Sequence, residues 1–86
     1  MKIYWEENAW DEYLYWQEQD KKTLRKINNL LKDICRNGLN AIGKIEPLKN
    51  DLSGFYSARI DSKNRLVFKI NDNRVEIYSC KLHYGK

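Results

Sequence analysis

Residues 55–82, FYSARIDSKNRLVFKINDNRVEIYSCKL, decide the fold. Three runs in this stretch are rich in aromatic and β-branched residues: Phe55–Ile60, Arg65–Ile70 and Val75–Leu82. Asp61-Ser62-Lys63-Asn64 and Asn71-Asp72-Asn73 separate them, and both are made of residues that favour turns. Strands joined by such short polar turns pair antiparallel. Side chains alternate across a strand, so Tyr56, Ala58 and Ile60 share one face, and Phe55, Ser57 and Arg59 the other. Leu66, Phe68 and Ile70 likewise oppose Arg65, Val67 and Lys69. With the aliphatic sets against a core, Arg59 and Arg65 emerge together on the open face. Lys81 and His83 join them if the register of the last hairpin allows. The last strand is less regular, since Val75 and Ile77 have the same parity as His83. A bulge or burial on both faces accounts for that equally well.

Working back along the chain, residues 39–54 read as a loop broken by Gly43, Pro47 and Gly54, with Leu48 and Leu52 as apolar anchors. It is long for a compact domain, and loops of that kind tend to carry function. Before it, Leu24, Ile27, Leu30, Leu31 and Ile34 recur at helical spacing and form one apolar face. Asp20 begins this helix, and Asn37-Gly38 ends it through the left-handed conformation open to glycine. An earlier helix carries Ala9, Trp10, Tyr13, Leu14 and Trp16 at the same spacing. Asn8 is its expected cap, with Asp11 completing a weak capping box. Trp5, Trp10 and Trp16 read as core or helix-packing residues. Residues 1–5 alternate as a short strand. The order is β-α-α-β-β-β, an α+β class: a mostly antiparallel twisted sheet with a two-helix hairpin on one face, in a single domain spanning residues 1–86.

Charge is segregated along this frame. Residues 1–20 carry one cation against six anions, and residues 21–36 six cations against one anion. Residues 54–86 carry seven cations and three anions, so the C-terminal half supplies the net charge of +4. A basic surface attracts polyanions, nucleic acid first, although a solvated basic surface is also ordinary. A charged fraction of 33% beside 42% hydrophobic residues suits a folded soluble chain. The N-terminal stretch has no apolar run leading to a small-residue cleavage site, and no segment approaches the roughly 20 apolar residues that span a bilayer. A cytoplasmic location is therefore expected. Cys35 and Cys80 then read as buried or idle thiols rather than a disulfide. Two cysteines and one histidine far apart do not make a zinc site, and neither a metal nor a cofactor is expected.

RNA can be cut without a metal when its own 2′-hydroxyl is the nucleophile. The protein must then offer a base for that hydroxyl, an acid for the departing 5′-oxygen, and cations for the charge building on phosphate. Glu46 on the long loop is a candidate base. His83, the only histidine, titrates in the right range for an acid. Arg65 and Arg59 offer guanidinium forks that fit phosphate oxygens, and Lys49 a point charge. Each also has an ordinary reading: a surface histidine near a chain end, a loop glutamate before a proline, arginines on a solvated sheet face, and a terminal packing residue for Tyr84.

Several segments, in order, carry a resemblance. They are Trp10-Asp11-Glu12-Tyr13-Leu14-Tyr15-Trp16-Gln17, Lys26-Ile27-Asn28, Glu46-Pro47-Leu48-Lys49, Leu52-Ser53-Gly54-Phe55-Tyr56-Ser57 with Arg59-Ile60, Asn64-Arg65-Leu66-Val67 and His83-Tyr84. Together they resemble the YoeB (Txe) toxins of the RelE-like superfamily, nearly end to end. The resemblance implies a RelE-like fold and ribosome-dependent, metal-independent cleavage of mRNA at the A site. It implies Glu46 as general base, His83 as general acid and Arg65 as the group that stabilises the transition state. Tyr84 matches a terminal aromatic tied to activity, and Lys49 and Arg59 match positions that hold the phosphate. Implied partners are a YefM- or Phd-like antitoxin that covers or distorts the site, the 70S ribosome with its mRNA, and a second toxin copy. Operator DNA is implied only through the toxin–antitoxin complex. Lys63, where some relatives carry an acidic residue, and the Gly85-Lys86 extension depart from the pattern. Two other functions fit the residues themselves: an RNA- or ribosome-binding module that blocks by occupancy, and a protein-interaction domain that only binds an antitoxin-like partner.

Overall fold

The computed structural model describes residues 1–41 and 44–83, with His83 described through its backbone alone. Ile42, Gly43 and residues 84–86 lie outside the described residues. The chain runs β1 (Lys2–Trp5), α1 (Glu7–Gln19), α2 (Lys21–Asn37), β2 (Ile45–Pro47), β3 (Tyr56–Arg59), β4 (Asn64–Asn71) and β5 (Arg74–His83), with single 3-10 turns at Gly38–Asn40 and Asn50–Leu52. The five strands form one sheet in the order β1-β5-β4-β3-β2. β1 joins β5 in parallel, and the other neighbours pair antiparallel.

The expected α+β architecture is present, with one strand more than β-α-α-β-β-β. Ile45–Pro47, inside the stretch read as a loop, pairs with β3 through Ile45↔Ala58, Glu46↔Ser57 and Pro47↔Tyr56. Three residues are too few to show an alternation. Pro47 also reads against a strand, but β2 is an edge strand, where a missing N–H is tolerated. Glu46 is therefore held in a sheet register rather than on an unanchored loop.

The start of α1 differs from expectation as well. Glu6 is its N-cap and makes no side-chain capping bond, while Asn8 lies inside the helix. The Asn8–Asp11 capping box does not form, because tertiary partners take over: Asn8 Nδ2 donates to the Tyr78 carbonyl (3.2 Å), and the Glu6 N–H to the Ile77 carbonyl (3.0 Å). α2 follows its sequence signals closely. Asp20 caps it, accepting from the Lys22 N–H (3.1 Å), the Thr23 N–H (3.2 Å) and the Thr23 hydroxyl (2.8 Å). Gly38 ends it at φ +60°, its N–H donating to the Ile34 carbonyl.

The core lies between the helix hairpin and one sheet face. Ile27, Leu30, Leu31 and Ile34 of α2, with Ala9 and Trp16 of α1, meet Ala58, Ile60, Leu66, Phe68, Val75, Ile77 and Cys80. Trp16 Nε1 donates to the Cys80 carbonyl (2.9 Å), so the buried indole keeps its hydrogen bond. The other tryptophans are less enclosed. Trp5 is half-buried, and Trp10 stays exposed while its ring stacks on Tyr13 at 5.8 Å. Leu14 is exposed too, which leaves α1 a narrower apolar stripe than its spacing suggests.

The irregular last strand is bulged. Val75 pairs with Ile70 and Ile77 with Phe68, all pointing into the core. The register then shifts, Ser79 pairing with Val67, and shifts again, Leu82 pairing with Arg65. Extra residues on one strand re-aim side chains, as β-bulges do. The hairpin between β4 and β5 turns on Asp72 and Asn73 at φ +50° and +62°, the pair of left-handed residues that a tight two-residue hairpin loop requires.

Candidate active site

Sheet register sets out the open face in rows. Arg59 lies opposite Arg65, and Leu82 lies opposite Arg65 on the other side. One step along the strands, Glu46 is opposite Ser57, Ser57 opposite Val67, and Val67 opposite Ser79. A strand advances about 3.3 Å per residue, so successive rows on one face are roughly 7 Å apart.

Glu46 and Arg65, 19 residues apart in sequence, meet here: Arg65 Nη1 lies 3.4 Å from Glu46 Oε1. The Arg65 side chain is only 19% exposed, whereas Glu46 is 56% exposed. A largely sheltered guanidinium thus stands beside a carboxylate open to solvent. Lys49 is exposed just before the Asn50–Leu52 turn. Pro47, Leu48, Lys49, Leu52 and Leu82 line a shallow hollow of about 400 Å³ next to the pair. A carboxylate and a fork able to hold an anion thus meet on this face, and the hollow that Lys49 lines adjoins them through Pro47, which follows Glu46, and Leu82, which pairs with Arg65.

Other expected members sit differently. The His83 backbone is in register with Asn64, one residue from the Arg65–Leu82 pair; its side chain, and all of Tyr84, lie outside the described residues. Lys81 does not join the set. The two register shifts cancel in facing, so Lys81 keeps the side of Val75 and Ile77, its ammonium 4.6 Å over the Tyr15 ring of α1, and Leu82 takes the position facing Arg65. Arg59 is exposed beside Arg65 and also borders a second, larger cleft of about 850 Å³ against α2. There Lys26, Lys32, Arg36, Lys44 and Arg59 outnumber the single Asp33.

Two features were not singled out from the sequence. Ser57, adjacent to Glu46, is fully buried, and its Oγ has no hydrogen-bond partner among the described residues. Buried hydroxyls are nearly always bonded, so this one is an unusual feature of the face. Leu82 lines the hollow, on the face that the expected Lys81–His83 placement had left to those two residues. Among the described residues, no group of three His, Cys, Asp or Glu is arranged to hold a metal ion, and no helix is long and apolar enough to cross a membrane.

Comparison with known proteins gives one consistent result. Residues 5–84 match the family model described as the YoeB-like toxin of bacterial type II toxin–antitoxin systems. The toxin YoeB of Escherichia coli K12 is 50% identical over 84 residues, covering 98% of this chain and all of that one. A chain of the YoeB–YefM complex from Staphylococcus aureus superposes with a TM-score of 0.90 at 48% identity, covering 98% of each chain. The YoeB dimer from the same organism gives 0.89 at 49% identity, again over 98% of each. A chain of the RelBE2 toxin–antitoxin complex of Mycobacterium tuberculosis, 22% identical, shares the fold with a TM-score of 0.71 over 95% of each chain.

Proposed function

Because the chain belongs to the YoeB-like toxins of bacterial type II toxin–antitoxin systems, we propose that its toxicity is enzymatic: ribosome-dependent, metal-independent cleavage of mRNA in the A site, which stops translation. The observation that carries this reading is the Glu46–Arg65 pair, 3.4 Å apart on the open sheet face. A module that only binds phosphate gains nothing from a carboxylate in a basic site. A module that cleaves needs a base, and a carboxylate can serve as one.

In the proposed reaction the mRNA 2′-hydroxyl attacks its own 3′-phosphate. Glu46 takes the hydroxyl proton, and a 2′,3′-cyclic phosphate forms as the bond to the 5′-oxygen breaks. His83 gives its proton to that oxygen, leaving a 5′-hydroxyl on the downstream fragment. The negative charge that grows on the non-bridging oxygens is met by the Arg65 fork, with Lys49 and Arg59 holding the incoming phosphate. Tyr84 follows His83 and is assigned to substrate placement. In the free toxin the Glu46 carboxylate occupies part of the Arg65 fork. An arriving phosphate competes for that fork and releases Glu46 towards the hydroxyl.

Partners follow the same reading. The staphylococcal relatives form a YoeB–YefM complex and a YoeB dimer. This chain is accordingly assigned a YefM- or Phd-like antitoxin, a second toxin copy, the 70S ribosome and its mRNA, with operator DNA reached only through the antitoxin complex. The assignment places it in the cytoplasm, with the ribosomes. The deciding experiment maps mRNA 5′ ends in a translating lysate, with and without ribosomes, for the wild type and for Glu46→Ala, Arg65→Ala and His83→Gln. New 5′-hydroxyl ends at A-site codons, seen only with ribosomes and lost in all three folded variants, are expected. Arrest with intact mRNA would overturn the proposal in favour of blockage by occupancy.

A further inference from the structure

One row beyond Glu46 and Ser57, the open face changes character. Phe55 has the same parity as Ser57 on the same run, so it lies on the open face. Its ring centre is 5.2 Å from that of Tyr78, with the planes inclined at 58°. The Lys69 ammonium sits 5.2 Å from the Phe55 centroid. Farther along, Arg74 lies 5.1 Å over the Tyr4 ring. The one carboxylate among them, Glu76, is buried and matched by two cations, Arg74 at 2.8 Å and Lys69 at 3.8 Å. The row is therefore aromatic and net positive, and it remains open: Tyr78 is 37% and Tyr4 47% exposed.

The Tyr78 ring reaches this face because of the β5 bulge. Ile77 points into the core and Ser79 pairs with Val67, which leaves Tyr78 as the extra residue between them. The bulge forfeits regular ladder pairing, and what it places is an exposed aromatic ring against Phe55. Stacking platforms that hold single-stranded nucleic acid are built of the same parts: aromatic faces for bases and nearby cations for the backbone. At roughly 7 Å from the Glu46 row, the platform is about one extended nucleotide from the cleavage chemistry.

We propose that Phe55, Tyr78 and Lys69 form a subsite that stacks the nucleobase flanking the scissile phosphate and neutralises that nucleotide's backbone charge. The proposal rests on the endonuclease reading and adds a base-holding element to it. Tyr78 and Lys69 are positioning residues in this scheme. They touch the substrate away from the reacting atoms and act in the ground and transition states alike.

The test uses ribosomes programmed with model mRNAs in which a single abasic nucleotide is moved through the positions 5′ and 3′ of the cut, with single-turnover cleavage as the readout. Tyr78→Ala is expected to raise the half-saturating protein concentration about tenfold, with the rate at saturation unchanged. Tyr78→Trp should restore wild-type behaviour. Lys69→Gln, which leaves both rings in place, should raise half-saturation and reduce its salt dependence. In the wild type, an abasic nucleotide at one flanking position should produce the same tenfold loss, and it should add nothing in Tyr78→Ala. Losses that multiply, or a Tyr78→Ala protein indistinguishable from wild type, overturn the subsite while leaving the endonuclease reading intact. A wild-type protein that cleaves none of the mRNAs overturns the endonuclease reading, and the subsite with it.

Discussion

Arg65 does two things that a lysine cannot do together. Its planar fork reaches Glu46 while most of the side chain is sheltered by the sheet, and the same fork fits two phosphate oxygens at once. Arg65→Lys keeps the charge and loses that geometry. We expect single-turnover cleavage to fall by about 10²-fold, the loss typical when one oriented donor to a developing charge is removed. Circular dichroism should be unchanged, and cleavage within threefold of wild type would contradict the assigned role. Cys80 illustrates the opposite case, a reactive residue type kept inert. It is fully buried, and that burial, helped by the nearby Glu12 carboxylate, pushes its thiol up to about 12. Only the thiolate is nucleophilic. In the native protein at mildly alkaline pH, iodoacetamide should label Cys35 and spare Cys80 until denaturant is added; rapid labelling of native Cys80, read by mass spectrometry, would refute this. At this scale side-chain chemistry singled out Glu46 and Arg65, and the sheet brings the two together. The sequence was silent on Ser57, since nothing in an isolated serine foretells a buried hydroxyl with no partner among the described residues.

α2, whose signals are strong and local, could be read directly, whereas β2 and the register of β5, which depend on pairing, could not. α2 carries its own cap, apolar stripe and glycine stop, and all three operate as read. β2 exists only because β3 is there to pair with it, and the second half of β5 is displaced by a bulge that no period-2 pattern encodes. The α2 cap also predicts a pH response. Asp20 is held below the usual carboxylate range, first by the Thr23 hydroxyl and then by the Thr23 N–H. Asp61 is lowered too: burial opposes the shift, but the Lys63 and Asn64 N–H groups and the Asn64 side chain outweigh it. A carboxyl whose folded value lies below its unfolded one binds fewer protons in the native state. Its contribution is therefore complete above the unfolded value and is lost as pH falls through the folded one. Urea midpoints should fall between about pH 5 and pH 2, and Asp20→Asn, which preserves capping but cannot titrate, should make that decline shallower. Asp20→Ala should instead lower the midpoint at neutral pH as well. An acid limb identical in wild type and Asp20→Asn would show that the cap does not contribute to it.

Over the whole molecule, charge divides the labour. The acidic excess of residues 1–20 falls on α1 and the two caps that flank it, while Lys26, Lys32 and Arg36 of α2 converge with Lys44 and Arg59 on the large cleft. That cleft is set apart from the Glu46–Arg65 pair: Arg59 borders it, but neither Glu46 nor Arg65 lines it. On the endonuclease reading the two regions carry separable loads, one anchoring the toxin to ribosomal RNA and the other cutting. Each cation that neutralises a phosphate releases counterions, so affinity for a polyanion falls steeply with salt. The double variant Lys32→Glu with Arg36→Glu alters two exposed side chains of α2 that share the cleft with Arg59 and replaces none of the groups assigned to the reaction. Ribosome affinity should drop, and the slope of log affinity against log salt should flatten by about two, one unit for each lost phosphate contact. The cleavage rate at saturating protein should remain that of the wild type. If affinity and salt slope stay unchanged, the cleft takes no part in ribosome binding. If the saturated rate falls as well, anchoring and cutting are not separable, and the cleft must help to position the message itself.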